Sequence, residues 1–323
     1  MKALVYEGNE TLRFRDMPMP QGGVGQVVVR VEASGICGSD MHAYLGHDAR
    51  RPAPLILGHE AAGRVEGDGR RVTINPLVTC GHCTACVNGR ENLCPERQII
   101  SMQPREGAFA QFVAVPESNL VAVPEEVPLS KAALAEPLAV SWHAARLAVA
   151  ALAPDAERRA LVLGGGAIGL AAALALRAQG IVETCIVEPN EARADFLKQQ
   201  CGENVSTAAK GPVPLVVDAV GIAATRATAS QVVEPGGVIA HIGLGDDAGG
   251  LDVRRMTLQE ITFIGTYTYT AQDFRDTAAA LFSGQLGPLN WIEERPLEAG
   301  ADAFRDIRSG TVAAPKLVLR PWG

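Results

Sequence analysis

The chain has 323 residues, of which 47% are hydrophobic and 20% are charged, so it is long enough for two domains and has an ordinary globular composition. A formal net charge of -7 with no large basic block argues against a nucleic-acid surface and disfavours a nucleic-acid-binding zinc module, because phosphate binding requires clustered Lys and Arg. The most apolar stretch, 160–176, contains four glycines. It is too short for a membrane span, which needs about 20 apolar residues.

Short β-type runs dominate roughly the first hundred residues. The N-terminus enters a strand-like pattern directly and shows no signal-peptide core. Residues 27–31 and 112–115 are apolar runs bounded by Gly and Pro, which predicts strands. Period-2 stretches broken by turns are typical of a small antiparallel β domain, which we place at residues 1–137.

From residue 138 the pattern changes to short buried strands that alternate with Ala-rich helical segments. This alternation predicts a doubly wound parallel sheet, and therefore an α/β protein, over residues 138–270. A helical stretch at 274–283 and short strands follow, and we expect 271–323 to return to the first domain. The predicted strands of the sheet are 161–163, 184–187, 215–217, 238–242 and 261–264.

A glycine-rich loop follows the first strand of this second domain. Residues 164–169 read G-G-G-A-I-G and satisfy G-x-G-x-x-G, which is weak alone but here stands between a strand and a helix. Gly164 permits the tight turn, Gly166 lets the backbone approach a pyrophosphate, and Gly169 allows close helix–strand packing. The helix N-terminus offers free N–H groups to the phosphates. We predict a dinucleotide site that includes Gly164, Gly166, Ile168 and Gly169.

An acidic residue stands where this motif requires one. Glu188 lies at the end of the next predicted strand, 19 residues beyond Gly169. It would accept hydrogen bonds from the adenosine ribose and repel a 2′-phosphate, which favours NAD over NADP. Arg193 is a further cofactor-binding candidate, on the adenine side or at a phosphate. The alternative for Glu188 is an exposed loop carboxylate, and the alternative for Arg193 is a solvated helix residue without a role.

Four cysteines lie within fifteen residues, at Cys80, Cys83, Cys86 and Cys94. Short loops between thiolates can wrap around one tetrahedral zinc ion. An iron–sulfur cluster is disfavoured because ferredoxins of this type have three residues, not seven, before the last cysteine. We predict a structural zinc lobe at 80–94. Dense, odd-numbered cysteines also favour a reducing compartment over disulfides, so we expect a cytoplasmic protein.

Three further motifs complete a distinctive order along the chain. C-G-S-D-M-H occupies 37–42, G-H-E occupies 58–60, and A-E-P-L occupies 135–138, with the cysteine lobe and the glycine loop at compatible distances. Over essentially its whole length the chain resembles the zinc-containing medium-chain dehydrogenase/reductase superfamily. Glu136 makes it similar to the sorbitol (polyol) dehydrogenase branch. The resemblance implies a mainly β GroES-like catalytic domain beside a Rossmann domain.

The same resemblance implies the composition of a second, catalytic zinc site. Cys37 and His59 are the implied ligands, and a carboxylate completes the set. In polyol-type relatives the glutamate at the Glu60 position can ligate directly while the one at the Glu136 position acts through a bound water, whereas in other relatives the second glutamate ligates and the first lies behind the metal. We count both glutamates as metal-site and catalytic residues, and we expect about two zinc ions per chain.

The implied reaction oxidises a secondary alcohol with NAD. Zinc makes the substrate hydroxyl more acidic, and hydride leaves to the nicotinamide. Ser39 takes the proton and passes it through the nicotinamide ribose to His42 at the surface. The alternative for Ser39 is a serine that only forms a turn, and the alternative for His42 is an exposed helix residue without a role. His47, His82, His143 and His241 have no partner pattern and receive no role.

We expect a small-molecule polyol or sugar-alcohol substrate, and no nucleic-acid or membrane partner. The alternatives are a simple secondary-alcohol or amino-alcohol (threonine-type) dehydrogenase, and a non-catalytic zinc- and NAD-binding scaffold. The strand near 261–266 could pair with a second copy, as in relatives, to give a homodimer or homotetramer.

The chain departs from the superfamily at several points. The loop between Glu66 and Arg71 is short, and the segment 202–215 is clipped, which predicts that one helix is missing or reduced. Arg50 and Arg51 are expected in a solvated loop, or as ligands of an acidic or phosphorylated substrate. Tyr44 is a weak candidate for a substrate contact.

Overall fold

The computed structural model describes every residue from 1 to 323. The chain forms two compact units. Unit 1 comprises residues 1–136, 270–282 and 292–323, and unit 2 comprises 137–269 and 283–291. The predicted return segment, 271–323, is thus divided, because Ser283–Trp291 packs with unit 2.

The secondary structure consists of strands and helices with the following bounds. The strands are β1 (Lys2–Gly8), β2 (Thr11–Asp16), β3 (Gln26–Gly35), β4 (Leu55–Ile56), β5 (Glu60–Val65), β6 (Arg71–Ile74), β7 (Leu77–Val78), β8 (Gln98–Ile99), β9 (Phe112–Pro116), β10 (Leu120–Ala122), β11 (Arg159–Leu163), β12 (Glu183–Val187), β13 (Val205–Ser206), β14 (Val213–Asp218), β15 (Val233–His241), β16 (Thr262–Gly265), β17 (Ile292–Pro296) and β18 (Lys316–Arg320). The α-helices are α1 (Gly38–Tyr44), α2 (Thr84–Val87), α3 (Leu129–Ala132), α4 (Ala135–Ala151), α5 (Ala167–Ala178), α6 (Glu191–Cys201), α7 (Ala223–Val232), α8 (Val253–Leu258), α9 (Ala271–Phe282) and α10 (Gly300–Ser309).

Unit 1 is built around a mainly antiparallel sheet. The strands run in the order β10-β6-β5-β3-β18-β17, and β9 also pairs with β3. The predicted strands 27–31 and 112–115 are therefore neighbours, with Val29 opposite Val113. Alternate residues of β3, such as Val29 and Val31, are fully buried, which is the period-2 pattern of a sheet with one face in the core.

A second apolar cluster of unit 1 lies below the small sheet β2-β1-β4. Leu4, Leu57 and Phe109 are fully buried there, together with Phe304 of α10. The glycine at position 58 has φ +89°, and a side chain would collide with the Phe109 ring. Only glycine therefore fits between β4 and the residue that follows it, His59.

Unit 2 is a six-stranded parallel sheet in the order β13-β12-β11-β14-β15-β16. Numbered from β11, this is the order 3-2-1-4-5-6 of a doubly wound dinucleotide fold. Apolar side chains from β11, β14 and β15, including Leu161, Val216 and Ile239, form its core with α7. The predicted α/β fold class is confirmed.

The clipped segment of unit 2 has the expected consequence. Strand β13 has only two residues, and residues 207–212 lead to β14 without any helix. Leu161 and Cys185, on β11 and β12, consequently line an open cavity of about 410 Å³ together with residues from 204–213. No helix in either unit combines the length and the hydropathy that a bilayer crossing requires.

Candidate active site and metal centres

The four cysteines form one compact cluster in unit 1. The Sγ–Sγ distances are 3.5 Å for Cys83–Cys86, 3.6 Å for Cys94–Cys80 and 3.9 Å for Cys80–Cys86. Zn–S bonds of about 2.3 Å in a tetrahedron separate the sulfur atoms by about 3.8 Å. The cluster therefore has the dimensions of a zinc site whose four positions are all filled by protein.

Short local elements bring these cysteines together. Cys83 caps α2, so that Cys86 lies one turn later on the same side, and the 3₁₀ helix Glu91–Leu93 ends at Cys94. Backbone N–H groups of His82 and Cys83 lower the pKa of the Cys80 thiol to about 6. A thiol that ionises readily is prepared for metal binding, because the thiolate is the ligand.

The second group of donor atoms is assembled from two paired strands. Strand β3 ends at Gly35, and Cys37 caps α1 two residues later. Glu60 begins the antiparallel neighbour β5, and His59 directly precedes it. Gly35 pairs with Glu60, so the end of one strand meets the start of the other. The ligand atoms of Cys37, His59 and Glu60 lie within 4.8 Å of one another. This thiolate, imidazole and carboxylate set fits zinc.

The His59 ring is oriented by buried partners. Its Nδ1 lies 3.2 Å from Oγ of Ser101 and 3.5 Å from Oδ1 of Asp40. Asp40 also accepts hydrogen bonds from the N–H groups of Cys37 (3.0 Å) and Gly58 (3.1 Å). Burial acts to lower the pKa of His59, but the charges of Asp40 and Cys37 outweigh it and raise the pKa well above 6.5. With Nδ1 engaged, Nε2 is the nitrogen left for a metal.

A buried lysine holds the first glutamate in place. Lys316 of β18 is 4% exposed and donates to both carboxylate oxygens of Glu60, at 2.7 and 2.8 Å, and to the Ile36 carbonyl at 2.9 Å. Burial lowers the pKa of Lys316, but Glu60 and Cys37 raise it more, so the ammonium stays charged. A Cβ at Gly35 would lie 2.1 Å from the Glu60 carboxylate, so this position must lack a side chain.

The other predicted catalytic residues lie around this group. Ser39 is the second residue of α1, and its Oγ is 3.4 Å from Nε2 of His59. His42 lies on the exposed side of the same helix. Glu136 is buried in the first turn of α4 and contributes to the raised pKa of Lys316. Its carboxylate is not among the donor atoms that lie within 4.8 Å of one another.

Two expectations about α1 and the loop that follows it are wrong. Arg51 is not in a solvated loop, since it is 3% exposed and its guanidinium contacts Asp48, Ser39 and Ser101. These contacts leave it unsuited to bind a substrate phosphate. Tyr44 is buried and packs against Phe304, with ring centroids 5.3 Å apart, so it belongs to the core of unit 1.

The glycine loop of unit 2 has the geometry that its motif predicts. Gly164 has φ +97°, and a Cβ at Gly169 would lie 1.8 Å from the Gly164 carbonyl oxygen, so packing explains both glycines. A Cβ at Gly166 would meet no protein atom within 4 Å. Gly166 caps α5, and no side chain caps this 12-residue helix. Free N–H groups at an open helix end suit a pyrophosphate.

Glu188 lies directly after β12 and beside this loop. It is buried, and its carboxylate accepts hydrogen bonds from the N–H groups of Gly165 (2.9 Å) and Asn190 (2.8 Å). This excludes an exposed loop carboxylate. Arg193 of α6 lies with Nη1 3.7 Å from the Glu188 carboxylate, and its Nε is buried without a hydrogen-bond partner in the protein.

Sequence reasoning missed three residues that shape the site. Asp40 stood inside the 37–42 motif, and its position three residues after the helix cap is a typical capping signal that was not used. Ser101 and Lys316 gave no signal, because each is far from Cys37 and His59 in sequence. The pairing of β18 with β3 brings Lys316 to the site, and the packing of the turn after β8 brings Ser101.

Comparisons with known proteins agree with this architecture. A model of the alcohol dehydrogenase GroES-like domain matches residues 23–125, and a model of zinc-binding dehydrogenases matches 167–284. A sorbitol dehydrogenase of Arabidopsis thaliana is 31% identical over 292 residues, 81% of this chain and 79% of that protein. The chain belongs to the zinc-containing medium-chain dehydrogenase/reductase superfamily. The family predicted from the motifs is confirmed.

Other members of this superfamily are similar over nearly the full length. A probable D-xylulose reductase A of Aspergillus clavatus is 28% identical over 340 residues, covering 95% of this chain and 94% of that protein. The crystal structure of L-idonate 5-dehydrogenase from Escherichia coli superposes with a TM-score of 0.87 at 26% identity, covering 99% of this chain and 97% of that one.

Proposed function

We propose that this dehydrogenase oxidises a secondary alcohol of a polyol or sugar-alcohol substrate to a ketone, with NAD as hydride acceptor. The observation that carries the proposal is the Cys37, His59 and Glu60 donor set, with Ser39 beside it, in a chain that also has an open dinucleotide loop. The similar proteins named sorbitol dehydrogenase, D-xylulose reductase and L-idonate 5-dehydrogenase support a polyol-type substrate.

Two zinc ions fit the donor sets of unit 1. Cys80, Cys83, Cys86 and Cys94 would hold one ion in a closed site. Cys37, His59 and Glu60 would hold the other and leave a position for substrate, while the buried Glu136 acts on the site through water. When bound, the second zinc would lower the pKa of the substrate hydroxyl.

The protein residues then handle the proton. Ser39 would accept the proton from the substrate hydroxyl and give up its own hydroxyl proton, and His42, which is exposed, would release a proton to water. When bound, NAD would supply the ribose hydroxyls of this relay. When bound, NAD would accept the hydride that the substrate carbon loses. The products are therefore a ketone, NADH and one proton, which balances the reaction.

The coenzyme preference follows from the buried carboxylate after β12. Gly164, Gly166, Ile168 and Gly169 would hold the pyrophosphate at the start of α5, and Glu188 would accept hydrogen bonds from the adenosine ribose. Because Gly165 and Asn190 fix the Glu188 carboxylate, a 2′-phosphate there would face a negative charge that cannot move away. Arg193, whose Nη1 lies 3.7 Å from the Glu188 carboxylate, would contact the cofactor on the adenine side or at a phosphate.

A substrate panel tests the proposal. NADH formation is measured with polyols, simple secondary alcohols and amino alcohols, each with NAD and with NADP. We expect the highest kcat/KM for a polyol with NAD. Comparable rates for simple alcohols would favour the simple secondary-alcohol alternative, and no turnover of any alcohol would contradict the proposal.

We also infer how the enzyme assembles and where it works. Strand β16 is the edge strand of the unit 2 sheet, so it has unpaired backbone groups that a second copy could meet in a homodimer or homotetramer. All seven cysteines are free, which supports a reducing, cytoplasmic environment. Sedimentation of the purified protein tests the first inference.

A further inference from the structure

The loop between α1 and β4 contains a buried cation that the reaction outlined above does not use. Arg51 donates from Nε to the Ser101 carbonyl at 3.0 Å, from Nη1 to the Asp48 carboxylate at 2.6 Å, and from Nη2 to the Ser39 hydroxyl at 3.4 Å. Nη1 also lies 3.4 Å from the Ser39 carbonyl oxygen. A guanidinium has no acceptor and does not lose its proton, so it is a permanent donor and a permanent charge here.

These contacts connect the groups on both sides of the histidine ligand. Ser101 places its hydroxyl 3.2 Å from Nδ1 of His59, and Ser39 places its hydroxyl 3.4 Å from Nε2. Arg51 holds Ser101 through its backbone and Ser39 through both its backbone and its hydroxyl. One side chain therefore sets the distance between the proposed proton acceptor and the segment that orients His59.

The charge of Arg51 is only partly compensated. Asp48, from the same loop, forms its one direct ion pair. Asp40 of α1 lies further away, where Arg51 helps to lower its pKa against the opposing effect of burial. The other ionisable groups around Ser39 are Cys37 and His59. Asp48 is also shared with Arg50, which bonds both of its oxygens at 2.8 and 3.0 Å.

The contact with Arg51 affects how the Ser39 hydroxyl can act as a proton acceptor. A hydroxyl has one hydrogen and two lone pairs. Arg51 occupies one lone pair, so the other lone pair is left to accept the substrate proton, and the hydroxyl hydrogen is available to be passed on. The guanidinium also lies 3.4 Å from the hydroxyl that would receive the substrate proton, and a positive charge near an alcohol favours the form that has lost its proton.

We propose that Arg51 is a positioning residue of the proton path, which fixes the Ser39 hydroxyl as a proton acceptor and favours deprotonation of the substrate alcohol by its charge. The proposal rests on the proposed function. It concerns how this chain moves the proton and does not depend on which polyol is oxidised.

Paired substitutions of the neighbouring arginines test the proposal. Arg51→Met removes the charge but keeps a long side chain, and Arg51→Lys keeps the charge without the planar fork. Arg50→Met is the matched control, since Arg50 contacts the same carboxylate but is 60% exposed. The pH profile of kcat for alcohol oxidation is recorded for each. Metal content and circular dichroism show whether each variant is folded and loaded.

The expected result is a shift of the acidic limb of the profile. Without the positive charge, deprotonation requires a higher pH, so Arg51→Met moves the limb upward by about one pH unit, while Arg51→Lys moves it by much less. Arg50→Met leaves it in place. A binding readout accompanies the kinetics: trifluoroethanol resists hydride loss, and the proton released when it binds to the NAD complex is followed with an indicator dye. We expect the pH midpoint of this proton release to move by the same amount as the acidic limb of kcat.

A variant that keeps Arg51 should shift the acidic limb of the pH profile in the opposite direction. Asp48→Asn removes the compensating carboxylate, so the limb moves to lower pH, and this variant decides the matter if Arg51→Met does not fold. Profiles of Arg51→Met and Asp48→Asn that superpose on wild type, or an equal shift in Arg50→Met, would overturn the role of Arg51 while wild-type turnover still supports the proposed function. If wild type oxidises no alcohol, both proposals fail.

Discussion

The four-cysteine lobe and the Cys37–His59–Glu60 site are two groups of metal donors in the same unit, and they are built in opposite ways. The lobe takes four identical ligands from one segment of fifteen residues, folded by a single turn of helix and short loops. The second site takes three chemically different ligands from the end of β3 and the start of β5.

This difference in construction suits the cysteine lobe to stabilising the fold and the second site to catalysis. In the lobe all four donors come from protein, so an ion there has no position for substrate. At the second site the donors are surrounded by groups that orient them: Asp40 and Ser101 on His59, and Lys316 on Glu60. A site that must keep a position open depends on such neighbours, because the metal alone does not hold the ligands in place.

Cys86→Ser should break the closed site and produce the largest loss of stability. We expect one zinc per chain to be lost and the free energy of unfolding to fall by about 5 kcal/mol, since metal binding to a structural site is folding energy. Urea denaturation with metal analysis measures both. Unchanged stability after loss of that zinc would show that the lobe is dispensable.

Cys37→Ser should have the reverse phenotype. Alcohol oxidation should fall by about 10³-fold, equivalent to about 4 kcal/mol of barrier, because the group that acidifies the substrate is lost or misplaced. Stability should change little, and the zinc of the cysteine lobe should remain. Activity that survives in this variant would remove zinc from the proposed mechanism.

Lys316→Met tests whether the open site depends on a buried ion pair. When the open site holds no zinc, removing the lysine leaves the fully buried Glu60 without a cation, and we expect unfolding to become easier by about 3 kcal/mol. The double variant Lys316→Met with Glu60→Gln should recover most of that loss, because no charge is then left unpaired. A double variant less stable than Lys316→Met would contradict this account.

Glu136→Gln and Glu60→Gln distinguish the two carboxylates. If Glu60 ligates and Glu136 acts through water, Glu60→Gln should weaken zinc binding at the open site by about 100-fold and Glu136→Gln by about tenfold. Competition with a chelator, read by metal analysis, gives both values, and the cysteine lobe serves as the internal control. The reverse order would exchange the two roles.

Much of the fold was readable in the sequence because its signals are local. The strands at 27–31 and 112–115, the alternation after residue 138 and the clipped segment 202–215 each depend on a short stretch of chain, and the fold class that they predict is confirmed. Arg50 and Arg51 show the limit of such signals. Adjacent and chemically identical, they differ in the structure, with one arginine exposed and the other buried.

The sequence by itself predicted the four-cysteine lobe, the glycine loop and the acidic residue after β12, because these are fixed spacings that chemistry requires, whereas Cys37, His59 and a glutamate were implied by resemblance to a family. Only the tertiary structure decided what surrounds them. Lys316 reaches Glu60 across 256 positions of sequence, and Ser101 reaches His59 across 42, through strand pairing and loop packing. No local pattern records such contacts, since the residues that make them are ordinary in their own segments and acquire a role only when the core brings them together.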